Sequence, residues 1–458
     1  MDGSTGQLLL GFYGDDFSGS TAALEVLALA GVRTVLLLRG PGTDWRDRLP
    51  DVQAVGLAGV SRSLSPAAME AELKPAFAAL ADLNAGMIHY KVCSTFDSSP
   101  EVGSIGRAIE LGQAALGAAF VPVPAGDPAL GRYGVFGHLF ARSGPYGPVW
   151  RLDRHPTMSC HPVTPMAESD LARHLARQTS RPIALLDVLT LTRRDGPPEE
   201  HLARLRAAGA EVVLLDLLDE SQLATVGRLL WEHGGRFVVG SSAVEDALTN
   251  WWRQSGLLPE PPPRPVLQPV DRVLVVSGSC SPVTAGQIGH ALEQGFAEVA
   301  LAPAHWADPH GPETGPAFEK MLALLTTGRS VVIHAARGPN DPRIGAVRTL
   351  LSAAGEGHRD QALGRVLAPL VRAAAAAGVR RVAVAGGDTA GYVARQLGLE
   401  ALSFVAPLAP GVPLCRAHAG PDAPNLDGLE IAFKGGQVGQ VDFFQRLLRG
   451  NELFPARS

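Results

Sequence analysis

Short runs of aliphatic residues alternate along this chain with longer amphipathic stretches. Strands that consist of continuous apolar residues, with helices between them, are typical of parallel sheets covered on both faces. In such sheets ligands bind beyond the carboxyl ends of the strands. We therefore predict an α/β fold with mostly parallel sheets flanked by helices. The clearest predicted strands are residues 8–13, 183–187, 212–216, 273–276, 331–334 and 382–385, and an early helix is predicted at 21–30.

A proline-rich segment divides the pattern into two halves. Five of the seven residues at 259–265 are proline, which neither continue a helix nor join a central strand, so the segment is expected to be extended. The chain of 458 residues is long enough for two hydrophobic cores. We predict an N-terminal domain at 1–256, a linker at 257–270 and a C-terminal domain at 271–458, with the active site in the cleft between the domains.

Composition excludes several classes of protein. The net charge of −5 argues against a nucleic-acid binder, which normally carries a basic face. No apolar stretch reaches the roughly 18 residues of a membrane span, and the acidic start of the chain does not resemble a signal peptide. The four cysteines show no C-x-x-C spacing, which is typical of a reducing cytosol. We therefore predict a cytoplasmic protein without nucleic-acid or membrane partners.

The first predicted strand ends in two adjacent carboxylates, Asp15 and Asp16, followed by Phe17-Ser18-Gly19. Neighbouring acids at a strand end are costly unless they meet a cation, a metal ion or a substrate proton. We predict that Asp16, in preference to Asp15, is a general base or helps to hold a metal. The alternative is that Asp16 only caps the following helix.

A second strand-to-helix turn begins at Lys91 and continues through Val92, Cys93, Ser94 and Thr95 to Asp97. A cation beside several hydrogen-bonding groups suits a polyhydroxylated acid. The alternative is a capped helix start, with Pro100 in the first turn of that helix. A further loop at 151–156 presents Arg154, which we predict also contacts the substrate.

Three turns of the second half predict a nucleotide or anion pocket. Small residues allow the backbone to approach a ligand closely, and helix N-termini attract anions. Ser281 followed by Pro282 predicts a capped helix start, and a helix is predicted from the glycine pair at 386–387 to about Gly398. Each turn taken singly is also compatible with a tight connection. The candidate residues are Ser279, Ser281, Gly386, Gly387, Asp388, Thr389, Gly435 and Gly436.

Taken together, these short motifs resemble, in order and spacing, those of the four-carbon acid sugar kinase family. Members of that family phosphorylate compounds such as D-erythronate and D-threonate, and the resemblance extends over nearly the whole chain. The matching segments are Asp15-Asp16-Phe17-Ser18-Gly19, Ser61-Arg62-Ser63, Lys91 with Ser94-Thr95, Gly278-Ser279-Cys280-Ser281, Gly386-Gly387-Asp388-Thr389 and Lys434-Gly435-Gly436.

The resemblance implies a kinase, a phosphotransferase with an alcohol group as acceptor, that uses ATP and Mg²⁺. The N-terminal domain would hold the acid sugar and the C-terminal domain ATP. Residues implied to contact the sugar are Asp16, Arg62, Lys91 and Ser94. Residues implied to contact ATP are Ser279, Gly386, Gly387, Asp388, Thr389 and Gly436.

One motif departs from the family pattern, Lys-x-Asp-Ser-Thr-x-Arg-Gly. Cys93 stands where the pattern has aspartate, and Asp97 stands where it has arginine. An arginine that pairs a substrate carboxylate is not replaced by an acid without changing what binds. The variant resembles the branch that acts on 3-oxo-isoapionate, so the leading prediction is phosphorylation of 3-oxo-isoapionate to its 4-phosphate. A D-erythronate or D-threonate type of substrate is the alternative.

Two other classes of function compete with a kinase. A non-catalytic sensor of a sugar acid and a nucleotide would need no general base, so the paired carboxylates count against it. A hydrolase with Asp15 as nucleophile would normally carry an Asp-x-Asp spacing, which is absent at this turn. The predicted partners are therefore an acid sugar and ATP, and a homodimer is left open.

Overall fold

The computed structural model describes residues 8–40, 45–144, 147–161, 163–192, 196–306, 315–351 and 356–450. The chain forms two compact units. One consists of Met1–Val35 and Gly40–Pro262, and the other of Leu36–Arg39 and Pro263–Ser458. Residues 257–270, which include the proline-rich segment, contain neither helix nor strand.

The N-terminal part contains twenty of the helices and strands assigned in the described residues. They are β1 (Leu10–Gly14), α1 (Phe17–Leu29), β2 (Thr34–Leu37), α2 (Trp45–Arg48), β3 (Ala54–Ala58), α3 (Pro66–Asp82), β4 (Met87–Lys91), α4 (Ile105–Leu116), β5 (Val121–Ala125), β6 (Arg132–Val135), β7 (His138–Arg142), β8 (Val149–Arg151), α5 (Leu171–Ala176), β9 (Ile183–Leu186), α6 (Val188–Leu191), α7 (Pro198–Ala207), β10 (Val212–Asp216), α8 (Leu223–Arg228), β11 (Phe237–Gly240) and α9 (Ala243–Gln254).

Parallel pairing dominates this unit. Strands β11, β4, β1 and β3 are neighbours in that order and all run parallel. A second parallel sheet has the order β5-β10-β9, and β6, β7 and β8 form a small antiparallel sheet. The main strands are buried along almost their whole length, which explains their continuous apolar sequences.

The helices and strands of the C-terminal part are β12 (Leu274–Ser277), α10 (Pro282–Glu293), β13 (Ala297–Ala300), α11 (Pro316–Thr326), β14 (Val331–His334), α12 (Pro342–Leu351), α13 (Glu356–Ala376), β15 (Arg381–Ala385), α14 (Gly387–Leu397), β16 (Leu399–Ala409), β17 (Val412–Ala419), β18 (Glu430–Lys434) and α15 (Phe443–Arg449).

The strands of this part have the order β16-β17-β18-β15-β12-β14-β13. Strands β18, β15, β12, β14 and β13 are parallel, whereas β17 pairs antiparallel with both β16 and β18.

The predicted α/β fold in two domains, with mostly parallel strands and flanking helices, is confirmed. Two predicted helix ends are also confirmed: Ser281 caps α10 with Pro282 in its first turn, and Gly398 ends α14 in the left-handed conformation. The alternative prediction of a helix that starts at Pro100 is wrong. The Ser99 hydroxyl instead accepts from the amides of Glu101 and Val102 in a local turn, and α4 begins later, where Ser104 is its N-cap.

Strand register aligns the carboxyl ends of the main strands in each unit. Gly14 at the end of β1 lies opposite Ala58 of β3 and Lys91 of β4. In the C-terminal unit, Ser277 at the end of β12 lies opposite His334 and Ala385, and Ala385 lies opposite Lys434. The polar turns that follow these strands therefore start from a single edge within each unit.

Replacing either of two helical glycines by alanine is expected to have opposite effects on stability. A Cβ on Gly112 of α4 would lie 2.2 Å from a ring atom of Phe237, whereas a Cβ on Gly286 of α10 meets no atom within 4 Å. Alanine gains about 1 kcal/mol of helix propensity over glycine at either position, but forced overpacking costs roughly 1–3 kcal/mol. We expect Gly112→Ala to lower the urea midpoint of unfolding and Gly286→Ala to leave it unchanged or raise it. A Gly112→Ala midpoint at or above that of wild type would contradict this packing.

Candidate active site

The turn after β1 carries the two adjacent carboxylates, and their surroundings differ. The Asp15 side chain is only 4% exposed, whereas that of Asp16 is 29% exposed. Asp16 is the N-cap of α1, and its Oδ1 accepts from the amide of Gly19 at 2.8 Å. Asp16 therefore does cap the helix, as the alternative interpretation predicts, but only through Oδ1. Its Oδ2 makes no hydrogen bond to any residue that the structure describes.

One guanidinium holds both carboxylates. Arg62 donates from Nε to Asp15 Oδ2 at 3.0 Å, and from Nη2 to Asp15 Oδ1 at 2.6 Å and Asp16 Oδ1 at 2.9 Å. Burial raises the pKa of Asp15, and Arg62 opposes that shift. Burial lowers the pKa of Arg62, but Asp15 and Asp16 outweigh it and hold that pKa above its ordinary value. Asp15 is thus fixed in a bidentate pair, which leaves Asp16 with the accessible oxygen.

Lys91 supplies a second cation at the same edge. It ends β4 and is only 4% exposed, yet its Nζ makes no hydrogen bond or ion pair with another residue in the described part of the chain. The absence of a side chain at Gly19 makes room for it, since a Cβ there would lie 2.8 Å from Lys91 Nζ and 2.4 Å from Asp16 Oδ1. Asp15 and Asp127 interact with Lys91 electrostatically but do not contact it directly, so the donors of this buried ammonium are available to an anion.

The turn after Lys91 contains a directed hydrogen-bond chain. The Thr95 hydroxyl donates to Asp97 Oδ1 at 2.7 Å, so the Cys93 thiol, 3.0 Å from the same hydroxyl oxygen, is the donor in that contact. Burial, with a contribution from Asp97, raises the pKa of Cys93 to about 11. Val92 is buried and its amide donates to Gly240. The Ser94 side chain is half-buried.

A buried carboxylate near Lys91 was not predicted. Asp127 Oδ2 accepts from the hydroxyls of Ser241 at 3.1 Å and Ser242 at 3.0 Å. Burial raises the pKa of Asp127, while these hydrogen bonds and the charge of Lys91 oppose the shift. The serine pair directly after β11 is the signal that sequence reasoning overlooked, because it occupies the same strand-end position as the other candidate turns.

Arg154 lies apart from these contacts. It is exposed at the end of a short 3₁₀ turn, Leu152–Arg154. The neighbouring Arg151 is held by Asp153, with distances of 2.7 and 2.6 Å. No described contact links Arg154 to the carboxylates or to Lys91.

In the C-terminal unit, glycines allow the turns after β12, β15 and β18 to pack closely against one another. Gly386 has φ +128°, a conformation that side chains other than glycine rarely adopt. A Cβ on Gly386 or on Gly278 would lie 2.6 or 2.4 Å from Thr389 Oγ1, so both backbones close around that hydroxyl. A Cβ on Gly436 would lie 2.7 Å from Ser279 Oγ.

A cavity of about 220 Å³ opens between these turns. Five candidate residues line it, whereas Ser281 and Gly435 stand next to lining residues and the side chain of Asp388 falls outside the described part. Gly278 and Cys280 belong to a segment that sequence reasoning singled out, but it missed the part of the wall that comes from the loop after β14 and from α12 and α13. The lining residues are Gly278, Ser279, Cys280, Ala335, Ala336, Arg343, Ile344, Val347, Leu363, Gly386, Gly387, Thr389 and Gly436.

Arg343 is the charged residue of this wall, and it is held rigidly. It donates from Nε and Nη2 to Asp341 at 3.0 and 2.6 Å and from Nη1 to the carbonyl of His334. The bidentate contact lowers the pKa of Asp341 well below its usual value. No group of three or more His, Cys, Asp or Glu side chains in the described ranges is arranged to hold a metal ion.

Comparisons with known proteins assign the two halves. A family model described as a sugar-binding N-terminal domain matches residues 10–248, and one described as a nucleotide-binding C-terminal domain matches residues 274–444. The chain is 48% identical to a 3-oxo-isoapionate kinase of Paraburkholderia graminis, covering 97% of this chain and 94% of that protein. It is 32% identical to a 3-oxo-tetronate kinase of Cupriavidus necator, covering 96% of each.

Solved structures agree with this fold. A Salmonella typhimurium LT2 protein superposes with a TM-score of 0.77 at 25% identity, over 97% of this chain and 99% of that one. A Haemophilus influenzae protein gives a TM-score of 0.71 at 22% identity, over 95% and 98%. Within the described residues, no helix has the length and apolarity of a membrane span.

These findings define a two-domain phosphotransferase with a sugar-binding and a nucleotide-binding domain. The chain belongs to the four-carbon acid sugar kinase family. The predicted family, the kinase class with an alcohol acceptor and the resemblance to the 3-oxo-isoapionate kinase branch are confirmed. The roles of individual residues stay predictions.

Burial of Cys93 beside Asp97 predicts a slowly reacting thiol. With a pKa of about 11, Cys93 carries roughly a hundredfold less thiolate at neutral pH than an ordinary cysteine does. We expect its rate of alkylation by iodoacetamide, followed by mass spectrometry, to rise about tenfold per pH unit up to at least pH 10. Exposed Cys160 in the same sample is the control. If the alkylation rate of Cys93 levels off near pH 8, the raised pKa of this thiol would be refuted.

Proposed function

We propose that this enzyme transfers the γ-phosphoryl group of ATP to a hydroxyl of 3-oxo-isoapionate, giving the 4-phosphate. The observation that carries the proposal is that Asp16, whose contacts engage only Oδ1, lies beside a buried Lys91 whose Nζ makes no direct hydrogen bond or ion pair with a described residue. One group accepts a hydroxyl proton and the other binds an anion, as an acid-sugar kinase requires. The 48% identity to a 3-oxo-isoapionate kinase supports this choice of substrate.

The N-terminal domain, residues 1–256, is the proposed acid-sugar site. Lys91 pairs the substrate carboxylate, because its ammonium makes no direct hydrogen bond or ion pair with any described residue, although Asp15 and Asp127 act on it electrostatically. Asp97 cannot pair a substrate carboxylate, as the arginine of the family pattern would. It instead accepts a hydrogen bond from a hydroxyl of the substrate. Arg62 and Asp15 keep Asp16 oriented, and the Ser94 hydroxyl contributes a further hydrogen bond. Val92, Cys93 and Arg154 complete the proposed set.

The C-terminal domain, residues 271–458, is the proposed ATP site. Ser279, Gly386 and Gly436 line the cavity, and the N-termini of α10 and α14 next to these turns favour negative charge. Ile344, Val347 and Leu363 give part of the wall an apolar surface suited to a purine base. The other proposed contacts are Ser281, Gly387, Asp388, Thr389 and Gly435.

Mg²⁺ fits this arrangement without a protein cage. Nucleotide-bound Mg²⁺ is normally held by phosphate oxygens, waters and only one or two carboxylates, which agrees with the lack of a metal cluster among the described side chains. The ion would supply neutralisation of the phosphate charge. The carboxyl group of Asp388 is the candidate protein ligand, because the open oxygen of Asp16 is assigned to the acceptor hydroxyl.

The chemical step requires little covalent work from the protein. Asp16 Oδ2 accepts the proton of the acceptor hydroxyl as its oxygen attacks the γ-phosphorus in line, and the bond from phosphorus to the ADP oxygen breaks. Arg62 holds Asp16 in place through Oδ1. The N-termini of α10 and α14 stabilise the charge that develops on the phosphoryl oxygens.

A four-carbon substrate is the second candidate. The chain is about 30% identical to several 3-oxo-tetronate kinases, among them that of Burkholderia multivorans at 31% over 98% of this chain. These proteins act on oxo-acids according to their names, so the 3-oxo group is the feature common to both candidates.

Substrate choice is tested by ADP release over a panel of acid sugars. We expect the highest kcat/KM with 3-oxo-isoapionate, a lower value with 3-oxo-tetronates and the lowest with D-erythronate and D-threonate, because identity is higher to the 3-oxo-isoapionate kinase than to the 3-oxo-tetronate kinases and the last two acids lack the 3-oxo group. A preference for D-erythronate would overturn the substrate proposal and leave the kinase class intact. Tight nucleotide binding without ADP release from any acid would instead favour a sensor.

The role of Asp16 is tested by Asp16→Asn. Asparagine is as good an N-cap as aspartate, so the variant is expected to keep its unfolding midpoint. Loss of the general base is expected to lower kcat by roughly 10²–10⁴-fold, measured by coupled ADP release. Asp219→Asn, at another N-cap distant in sequence from the site, is the matched control. Wild-type kcat in Asp16→Asn would exclude Asp16 as the base.

A further inference from the structure

Lys434 is a buried lysine to which the proposed mechanism gives no role. It is the last residue of β18, directly before Gly435 and Gly436, and it is completely buried. Lysine is rarely found fully buried unless a counter-charge pairs it. The surroundings of its ammonium group therefore need an explanation.

The contacts of Lys434 are all with neutral groups. Its Nζ donates to Thr284 Oγ1 at 3.1 Å and to the carbonyl of Gly435 at 3.0 Å, and it lies 5.8 Å from the ring centroid of Phe443. No carboxylate of a described residue forms an ion pair with it. Burial alone lowers the pKa of Lys434 to about 8.

The ionisable groups on the surrounding elements do not compensate this charge. The side chain of Asp388 on α14 lies outside the described part of the chain. Among the others on β18, β15, α10, α14 and α15 or directly before α15, two ion pairs are formed, Glu430 with Arg381 and Asp442 with Arg446. His290 contacts the neutral amide of Gln445, and Glu293, Arg395 and Arg449 are exposed.

A short hydrogen-bond chain leads from Lys434 to the cavity. Thr284 Oγ1 accepts from Lys434 and donates to the carbonyl of Gly436 at 2.7 Å. Gly436 lines the cavity and stands against Ser279. Lys434 thus lies one layer behind the wall, where it orients the glycine turn and acts on the cavity through its charge.

A buried charge without a counter-ion destabilises the protein unless an anion lies nearby. The cavity next to Gly436 is the proposed position of the nucleotide phosphates. A polyphosphate there would supply the missing negative charge without touching the lysine. Binding of the anion and protonation of Lys434 would then favour each other, because each stabilises the other's charged form.

We propose that Lys434 is a positioning residue whose ammonium is the counter-charge for the nucleotide polyphosphate, and that nucleotide binding draws a proton onto it. This inference rests on the proposed nucleotide site. Near neutral pH the lysine is already charged, so no proton is taken up. Above pH 8 it is largely neutral in the empty enzyme, and affinity is expected to fall by up to about tenfold per pH unit.

The experiment is calorimetric titration of the whole protein with ADP and Mg²⁺ in two buffers of different ionisation enthalpy. The dependence of the measured heat on the buffer gives the number of protons bound. Terminal phosphates with a pKa near 6 are fully ionised above pH 8, so they do not contribute. For wild type we expect close to zero protons at about pH 7 and roughly half a proton or more at about pH 9.

Three variants separate charge from shape. Lys434→Met should bind ADP more weakly and take up no proton at about pH 9. Lys434→Arg stays charged at every pH tested, so it should retain more affinity than Lys434→Met while also taking up no proton. Lys320→Met removes an exposed lysine of the same unit and should match wild type.

The outcomes are distinguishable from those that concern the proposed function. ADP binding by wild type without proton uptake at about pH 9, or uptake that persists in Lys434→Met, would overturn the role of Lys434 and leave the nucleotide site standing. Failure of wild type to bind either ADP or ATP would overturn the proposed function and this inference with it. Should Lys434→Met not fold, the wild-type proton count and Lys434→Arg still decide the question.

Discussion

Parallel strand pairing in register is the constraint on which both candidate sites depend. Gly14 lies opposite Lys91 in one unit and Ser277 opposite Ala385 in the other, so the polar turns that follow begin at one edge. A shift by one residue would turn alternate side chains to the opposite face of the sheet. It would also separate the groups that now meet. The position of the candidate site in each unit therefore depends on how its apolar strands pack.

Charge compensation then decides how the groups at this edge behave. Arg62 satisfies Asp15 completely and Asp16 partly, because its fork reaches both oxygens of one carboxylate and one oxygen of the other. Adjacent carboxylates would otherwise repel each other in a partly buried turn. The same guanidinium thus makes the acidic pair tolerable and leaves a single oxygen, Asp16 Oδ2, for a substrate.

Each unit also buries a lysine whose ammonium forms no ion pair with a carboxylate of a described residue. Lys91 ends β4, with Asp15 and Asp127 close enough to act on it only electrostatically, and Lys434 lies behind the glycine turn of the cavity. Replacing a buried charge by an apolar side chain is often neutral or stabilising. Two such lysines are therefore costly for stability alone, and the proposed anionic ligands, a carboxylate in one unit and phosphates in the other, would offset that cost.

The sequence by itself determined the α/β class, the proline-rich segment, the turns that bear chemistry and the family, because apolar runs, glycines and short motifs are local signals. Only the tertiary structure decided that Asp15 is locked and Asp16 open, since that depends on Arg62, which is distant in the chain. It likewise revealed Asp127 and the apolar wall at Ile344. Such contacts join segments far apart in sequence, and no local pattern encodes their distances.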